Sequence, residues 1–148
     1  MKNLFALSFL VLLIFTGCGK ESSGDNLEWE TNLESAIKKA KAENKSILVN
    51  FTGSDWCVWC QRLSNEVFSQ SEFEEYANEK LVLVKLDFPR DIKQTQETKL
   101  YNNQLLQRYG VQGFPTIILL NSSGVMIAQT GYQPGGAANY VMHLKSYL

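Results

Sequence analysis

The chain has 148 residues, a formal net charge of −1 and 45% hydrophobic residues. This length suffices for one compact domain with its own core and is too short for two ordinary domains. The nearly balanced charge gives none of the excess basic surface by which proteins bind phosphates, so no nucleic-acid partner is expected.

The first segment, residues 1–17, is predicted to be a signal peptide. It has a basic start at Lys2 and then an apolar run that is shorter than the ~20 residues of a membrane-spanning helix. The run ends in Phe-Thr-Gly-Cys, which resembles the lipobox of bacterial lipoproteins, although leucine is usual at the place of Phe15. The resemblance implies that Cys18 is lipidated and anchors the protein in a membrane. An ordinary signal peptide with a coincidental cysteine is the alternative.

Residues 18–28 are predicted to form a lipidated N-terminus and a flexible tether, because they are mostly small and polar and show no apolar period. Residues 29–148 then form the folded domain. If Cys18 carries lipid, Cys57 and Cys60 are the two remaining cysteines of an exported protein, a setting in which disulfides persist. We therefore expect a membrane-anchored lipoprotein that faces the periplasm or the cell exterior.

Capping patterns and apolar spacing predict the helices. A capping box, a hydroxyl residue followed three positions later by glutamate, opens helices at Thr31 and Ser71. Another helix is predicted to begin at or beside Cys57. A further helix ends near Gly110, since glycine suits the position that follows a helix, and a last one covers residues 137–147.

Short apolar runs predict the strands. Residues 47–51 and 81–87 are typical of buried central strands. Residues 116–120 and 125–130 flank the turn Asn-Ser-Ser-Gly and predict a hairpin. This order predicts an α/β fold with a central mixed sheet flanked by helices, parallel at first and antiparallel at the closing hairpin.

The sequence Asp-Trp-Cys-Val-Trp-Cys at residues 55–60 has the features of a redox pair. The spacing of Cys57 and Cys60 puts both sulfurs on one face of a helix start and permits a disulfide. Amides at a helix N-terminus stabilise a thiolate, so we expect Cys57 to be the nucleophile. Cys60, one turn further in, is expected to resolve the mixed disulfide that Cys57 forms.

Two other interpretations of the cysteine pair are weaker. A static disulfide would close a loop so short that it restricts the unfolded chain little. A zinc site would need two more soft ligands, and His143 is the one histidine in the sequence. We therefore expect no metal and no cofactor, and we interpret His143 as a surface or packing residue.

The runs "ILVNFTGSDWCVWC" (47–60) and "GVQGFPT" (110–116) resemble those of thioredoxin-fold proteins, most closely the exported bacterial group with a W-C-x-W-C motif. The similarity extends from about Trp29 to the C-terminus. It implies a thioredoxin-like fold and a thiol-disulfide oxidoreductase with Cys57 attacking and Cys60 resolving. Pro115 matches the family's cis-proline, beside which the backbone of Phe114 can pair with an extended substrate.

Both tryptophans beside the cysteines are candidate substrate-binding residues. Trp56 is expected to pack over the helix start as a lid, which is a structural as well as a functional role. Trp59 lies between the cysteines, where it either contacts a partner protein or packs against the domain. Asp55, which precedes them, is interpreted as a solvated turn residue.

One residue departs from the family pattern. Many thioredoxins have a buried aspartate under the resolving cysteine that assists its proton transfer, and the comparable residue here is Asn50. Asparagine cannot relay a proton by titrating. Lys85 or Asp87 on the next strand could help through water, or both could be ordinary charges near the end of a strand.

The residues between the cysteines favour the reducing direction. Val58 and Trp59 bring no imidazole to the Cys57 thiolate, so the reduced form gains less stability than in strong oxidants. The motif also resembles that of periplasmic reductant domains. We expect reduction of disulfides in exported client proteins, with a membrane electron-transfer protein as the reductant. A disulfide oxidase or isomerase, or a non-catalytic binding module, is the alternative.

Overall fold

The computed structural model describes residues 27–148. Its helices and strands follow one another along the chain in this order: β1 (Trp29–Glu30), α1 (Leu33–Glu43), β2 (Ser46–Thr52), α2 (Val58–Leu63), a π-helical turn (Ser64–Phe68), α3 (Ser71–Lys80), β3 (Leu81–Asp87), α4 (Gln96–Arg108), β4 (Thr116–Leu120), β5 (Met126–Thr130) and α5 (Gly136–Lys145).

The five strands form one mixed sheet in the order β1-β3-β2-β4-β5. Strands β1, β3 and β2 are parallel, whereas β4 runs antiparallel to β2 and β5 antiparallel to β4. The predicted fold class, a central mixed sheet flanked by helices, is therefore confirmed. The register between β2 and β3 places Asn50 beside Lys85, which matters for the site described below.

Two apolar clusters cover the two faces of the sheet. Side chains alternate across a strand, so β2 sends Leu48 to one face and Val49 and Phe51 to the other. The first face packs against α2, the π-helical turn, α3 and α5, and the second packs against α1 and α4. Asn50 shares the first face with Leu48, directly beneath the helix that carries the cysteines.

The two predicted capping boxes are wrong by one residue. Helix α1 is capped by Asn32, whose Oδ1 accepts a hydrogen bond from the backbone N–H of Ser35 at 2.7 Å. Glu34 instead accepts one from the hydroxyl of Tyr101 at 2.6 Å. Helix α3 has Gln70 at its N-cap without a side-chain hydrogen bond, so Ser71 is its first helical residue.

Two short elements were not predicted. Strand β1 has two residues and therefore carries no readable alternation, and it is positioned by pairing with β3. The π-helical turn directly continues α2, and its residues Val67 and Phe68 are buried like the apolar residues of the helix before it. The apolar pattern therefore does not show where the turn begins.

From residue 27 onward, no helix combines the length and apolar character that crossing a membrane requires. The predicted signal peptide, Cys18 and the tether up to residue 26 lie outside the described residues.

Candidate redox site

Cys57 and Cys60 form a disulfide at the N-terminus of α2. Cys57 is the N-cap, and its Sγ accepts a hydrogen bond from the backbone N–H of Cys60 at 3.2 Å. Both residues are largely covered, with exposed fractions of 6% and 5%. In the reduced protein the same amide and the positive end of the helix dipole would stabilise a thiolate at Cys57.

The surface beside the disulfide is apolar and exposed. Val58 is 64% exposed and Trp59 is 53% exposed. The Trp59 ring lies 5.3 Å from the ring of Tyr132, and the Arg62 guanidinium lies 5.2 Å from the centre of the Trp59 ring. Arg62 in turn pairs with Glu66 at 2.8 Å. Trp59 thus contacts Tyr132 and Arg62 while about half of its surface stays exposed.

Trp56 packs as a lid over the start of α2. Its indole Nε1 donates a hydrogen bond to the backbone oxygen of Phe88 at 2.8 Å. The Arg90 guanidinium lies 4.0 Å from the centre of the ring, and the ring meets Phe114 edge-on at 5.8 Å. Gly53 passes so close beneath the indole that an added Cβ would lie 2.5 Å from it.

The peptide bond between Phe114 and Pro115 is cis, as the family resemblance implied. The next residue, Thr116, pairs with Phe51 near the end of β2, and its hydroxyl donates to the backbone oxygen of Gly113 at 2.7 Å. The cis bond therefore lies beside the loop that leads from β2 to Cys57. With the contact between Phe114 and Trp56, the structure brings Trp56, Phe114 and Pro115 close to the start of α2, at the carboxyl end of β2.

Two acidic side chains anchor this loop, and the sequence did not reveal their roles. The Asp55 carboxylate accepts hydrogen bonds from the backbone N–H groups of Arg90, Asp91 and Ile92, the shortest at 2.7 Å. The bond from Arg90, together with the other backbone donors, holds the pKa of Asp55 below its ordinary value. Asp55 lies in a turn and is partly exposed, as interpreted, but its carboxylate also binds backbone N–H groups more than thirty residues away along the chain.

Asp87 holds the other side of the loop. Its carboxylate accepts a hydrogen bond from the backbone N–H of Ser54 at 3.0 Å and another from the Ser54 hydroxyl at 2.6 Å.

A polar cavity of about 350 Å³ opens on the inner side of α2 and is lined by Cys60, Asn50 and Lys85 among others. Asn50 is 6% exposed, and its Oδ1 has no hydrogen-bond partner among the described residues.

His143 has a packing role, as predicted. Its Nε2 lies 2.8 Å from the hydroxyl of Thr130, and its ring contacts those of Tyr140 and Tyr147. These contacts join α5 to strand β5. None of these contacts involves a residue of the redox site around α2.

Comparison with known proteins assigns the family. The model of a thioredoxin-like domain matches residues 33–143. The chain belongs to the thioredoxin-like family. It is similar to "Disulfide bond reductase DsbH" of Chlamydia pneumoniae, with 39% identity over 83% of this chain and 74% of the relative. It is 27% identical to "Thioredoxin-related protein DsbJ" of the same organism, over 82% of this chain and 36% of that longer relative.

A solved structure titled "DsbH Oxidoreductase" superposes with a TM-score of 0.79 and 34% identity, covering 100% of this chain and 94% of the other. This similarity and the Cys57–Cys60 disulfide identify the protein as a thiol-disulfide oxidoreductase.

Proposed function

We propose that the protein reduces disulfide bonds in exported proteins. The Cys57 thiolate attacks a client disulfide, one client sulfur leaves as a thiolate and takes up a proton, and a mixed disulfide forms. Cys60 then loses its proton and attacks the Cys57 sulfur. The second client sulfur leaves, and the Cys57–Cys60 disulfide forms. The observation that carries these roles is the hydrogen bond from the Cys60 amide to the Cys57 sulfur at the start of α2.

The reducing direction rests on the surroundings of Cys57. The residues between the cysteines are Val58 and Trp59, and neither supplies a cationic or strongly hydrogen-bonding side chain to a thiolate. Backbone amides alone stabilise the thiolate moderately, and a moderate stabilisation of the reduced form favours a low reduction potential. A relative at 39% identity carries the name disulfide bond reductase, which supports the same direction.

We propose that clients dock against the exposed apolar surface beside the disulfide. Trp59 offers a half-exposed ring there, and tryptophan is enriched among residues that dominate binding energy. Trp56, which packs over the start of α2, contacts Phe114 next to Pro115. An extended client segment that lies along Phe114 would bring its disulfide to Cys57.

The proposal includes a membrane anchor at Cys18, reached through the tether at residues 18–28 after removal of residues 1–17. Each cycle leaves the Cys57–Cys60 pair oxidised, so two electrons must return from another dithiol. A membrane electron-transfer protein is the donor that suits an anchored enzyme. Mass spectrometry of the protein purified from membranes should find an acylated Cys18 at the mature N-terminus. An unmodified N-terminus elsewhere would remove the anchor from the proposal.

Insulin reduction tests the activity and its direction together. The protein with dithiothreitol should precipitate insulin chains faster than dithiothreitol alone, whereas Cys57→Ser should give no acceleration. The oxidised protein should oxidise a reduced dithiol peptide slowly. Rapid peptide oxidation with little insulin reduction would instead indicate a disulfide oxidase.

A further inference from the structure

Four side chains next to the redox pair form one contact network. The ring centres of Trp59 and Tyr132 lie 5.3 Å apart. The Arg62 guanidinium lies 5.2 Å from the first centre and 5.3 Å from the second. Glu66 completes the network: its Oε1 accepts a hydrogen bond from Nε of Arg62 at 2.8 Å, and its Oε2 accepts one from the Tyr132 hydroxyl at 2.5 Å. Glu66 therefore binds two side chains that both contact Trp59.

The network joins segments that are far apart in the sequence. Three of its members belong to α2 and the π-helical turn that continues it, whereas Tyr132 follows β5. The preceding residue, Gly131, lies against the cis proline, since an added Cβ would be 3.1 Å from the backbone oxygen of Pro115. The oxygen of Gly131 also accepts a hydrogen bond from the hydroxyl of buried Tyr140 at 3.0 Å. The network thus connects the helix that carries the cysteines to the segment beside the cis proline.

We propose that Glu66 is a positioning residue that fixes the Trp59 ring as a binding surface for an apolar side chain next to the client's cysteine. The proposal deepens the function proposed above and rests on it. Trp59 is 53% exposed, so a client can reach the ring while Arg62 and Tyr132 hold it. A side chain that is ordered before binding loses less conformational freedom when the client arrives.

The chemistry of this surface favours an apolar client residue over a charged one. The exposed part of the Trp59 ring lies beside Val58, which is 64% exposed and apolar. The charges of Arg62 and Glu66 neutralise each other in an ion pair at 2.8 Å. A charged client side chain would lose water here without gaining an unpaired opposite charge, whereas an aromatic or aliphatic one would gain contact with the indole.

A carboxylate suits the position of Glu66 better than any neutral group. The hydrogen bonds from Tyr132 and from Arg62 hold the pKa of Glu66 below its ordinary value, so the side chain is ionised at neutral pH. Each of its two oxygens accepts a separate bond, and hydrogen bonds to an ionised acceptor are stronger than those between neutral groups. Glutamine has one acceptor oxygen and cannot accept both bonds at once.

The mobility of the Trp59 indole tests the positioning role independently of activity. The heteronuclear NOE of the indole N–H groups is measured by NMR in the parent protein and in Glu66→Ala, with Trp29 and Trp56 as internal references. The Trp59 value should fall in Glu66→Ala toward that of a freely moving side chain, and the other two values should stay unchanged. Glu66→Gln should give a smaller fall than Glu66→Ala.

Reduction kinetics test the effect on client binding. Two disulfide peptides serve as clients and differ in one residue next to a cysteine, which is phenylalanine or serine. The parent should have the lower KM for the phenylalanine peptide. Glu66→Ala should raise that KM about threefold to tenfold, as expected when one side chain must become ordered on binding, and should leave kcat unchanged. The KM for the serine peptide should change little.

Glu75→Ala is the matched control, because Glu75 is an exposed glutamate of α3 and makes no hydrogen bond or ion pair with the described residues. It should alter neither the Trp59 NOE nor either KM. Thermal unfolding establishes that each variant is folded. An unchanged Trp59 NOE in folded Glu66→Ala, or an unchanged or lower KM for the phenylalanine peptide, would overturn the proposal. A parent protein that reduces neither peptide would contradict the proposed function, and the NOE would still decide whether Glu66 fixes the ring.

Discussion

The identical side chains of Cys57 and Cys60 have different surroundings because of their positions on α2. Cys57 caps α2, accepts an amide hydrogen bond and adjoins the exposed residues Val58 and Trp59. Cys60 lies inside the first turn, and its surroundings are the polar cavity. The outer cysteine therefore lies beside the exposed apolar surface, and the inner one lines the cavity together with Lys85.

This difference predicts unequal trapping of clients by single-cysteine variants. Cys60→Ser removes the resolving thiol, so mixed disulfides between Cys57 and client proteins should accumulate. Cys57→Ser leaves Cys60 as the remaining cysteine of the pair and should trap few or none. The measurement is the pattern of high-mass, dithiothreitol-sensitive bands from cells that express each variant. Equal trapping by both would contradict the assigned roles.

The hydrogen bonds that the Asp55 carboxylate accepts from the loop after β3 should depend on pH. Because hydrogen bonds from the loop amides lower the pKa of Asp55 in the folded protein, these contacts stabilise the loop fully above the ordinary value of 3.8. They are lost as pH falls through the lower pKa of the folded state. Amide proton shifts of Arg90, Asp91 and Ile92 in NMR spectra should titrate together, with a midpoint below 3.8.

The control for this titration is Asp91→Asn, which removes the neighbouring carboxylate and should leave the shared midpoint in place. Asp55→Asn should abolish it. A midpoint at or above the ordinary value would mean that the loop amides do not bind the Asp55 carboxylate in solution.

At the scale of elements, the loop between β2 and α2 is fixed by contacts on several sides. Ser54 is held by Asp87, Asp55 by the loop after β3, and the Trp56 indole covers Gly53. Backbone N–H groups of Trp56 and Cys57 both donate to the Gly53 oxygen, the second at 2.9 Å. The start of α2 is thereby positioned before any substrate arrives.

Gly53→Ala should therefore destabilise the protein. Its Cβ would lie 2.5 to 2.8 Å from atoms of the Trp56 indole, so the ring or the backbone must move. We expect a loss of about 1–3 kcal/mol in the free energy of unfolding in urea. Gly113→Ala is the control, since nothing lies within 4 Å of its Cβ, and it should change stability by less than about 0.5 kcal/mol. Equal effects would show that the indole does not pack on Gly53.

The sequence predicted the elements well where an apolar pattern was long enough to read. Residues 81–87 form β3 as predicted, and the strand predicted at 47–51 lies within Ser46–Thr52. The predicted N-caps were wrong by one residue because several adjacent polar residues can cap a helix. Which of them does so depends on the backbone conformation at the helix start, as at Asn32 and Gln70. The π-helical turn changes the hydrogen bonding of the backbone without changing the apolar pattern, so sequence gives no signal for it.

At the scale of the whole molecule, the spacing of the cysteines predicted the redox pair, whereas the cis proline followed from the family resemblance of a short motif. The sequence did not predict the anchors of the loop. Asp55 and the amides after β3 are distant in sequence, and a carboxylate in a turn looks the same whether it contacts solvent or backbone. The cavity beside Cys60 likewise arises from α2, β2 and β3 together, so no single segment encodes it.

The reduction potential depends on all these surroundings, and we expect it to be low. Relatives of the fold range from about −270 mV for thioredoxin to about −120 mV for a strong oxidant. Backbone amides are the main groups that stabilise the Cys57 thiolate, so the reduction potential should lie in the lower half of that range, below roughly −195 mV, when measured by equilibration with glutathione.

Val58→His should raise the reduction potential by at least about 30 mV, because an imidazole beside Cys57 stabilises the reduced form. Val58 is 64% exposed, so the change is accommodated, and Val58→Gln is the uncharged control. A parent value near −120 mV would reverse the proposed direction of electron flow.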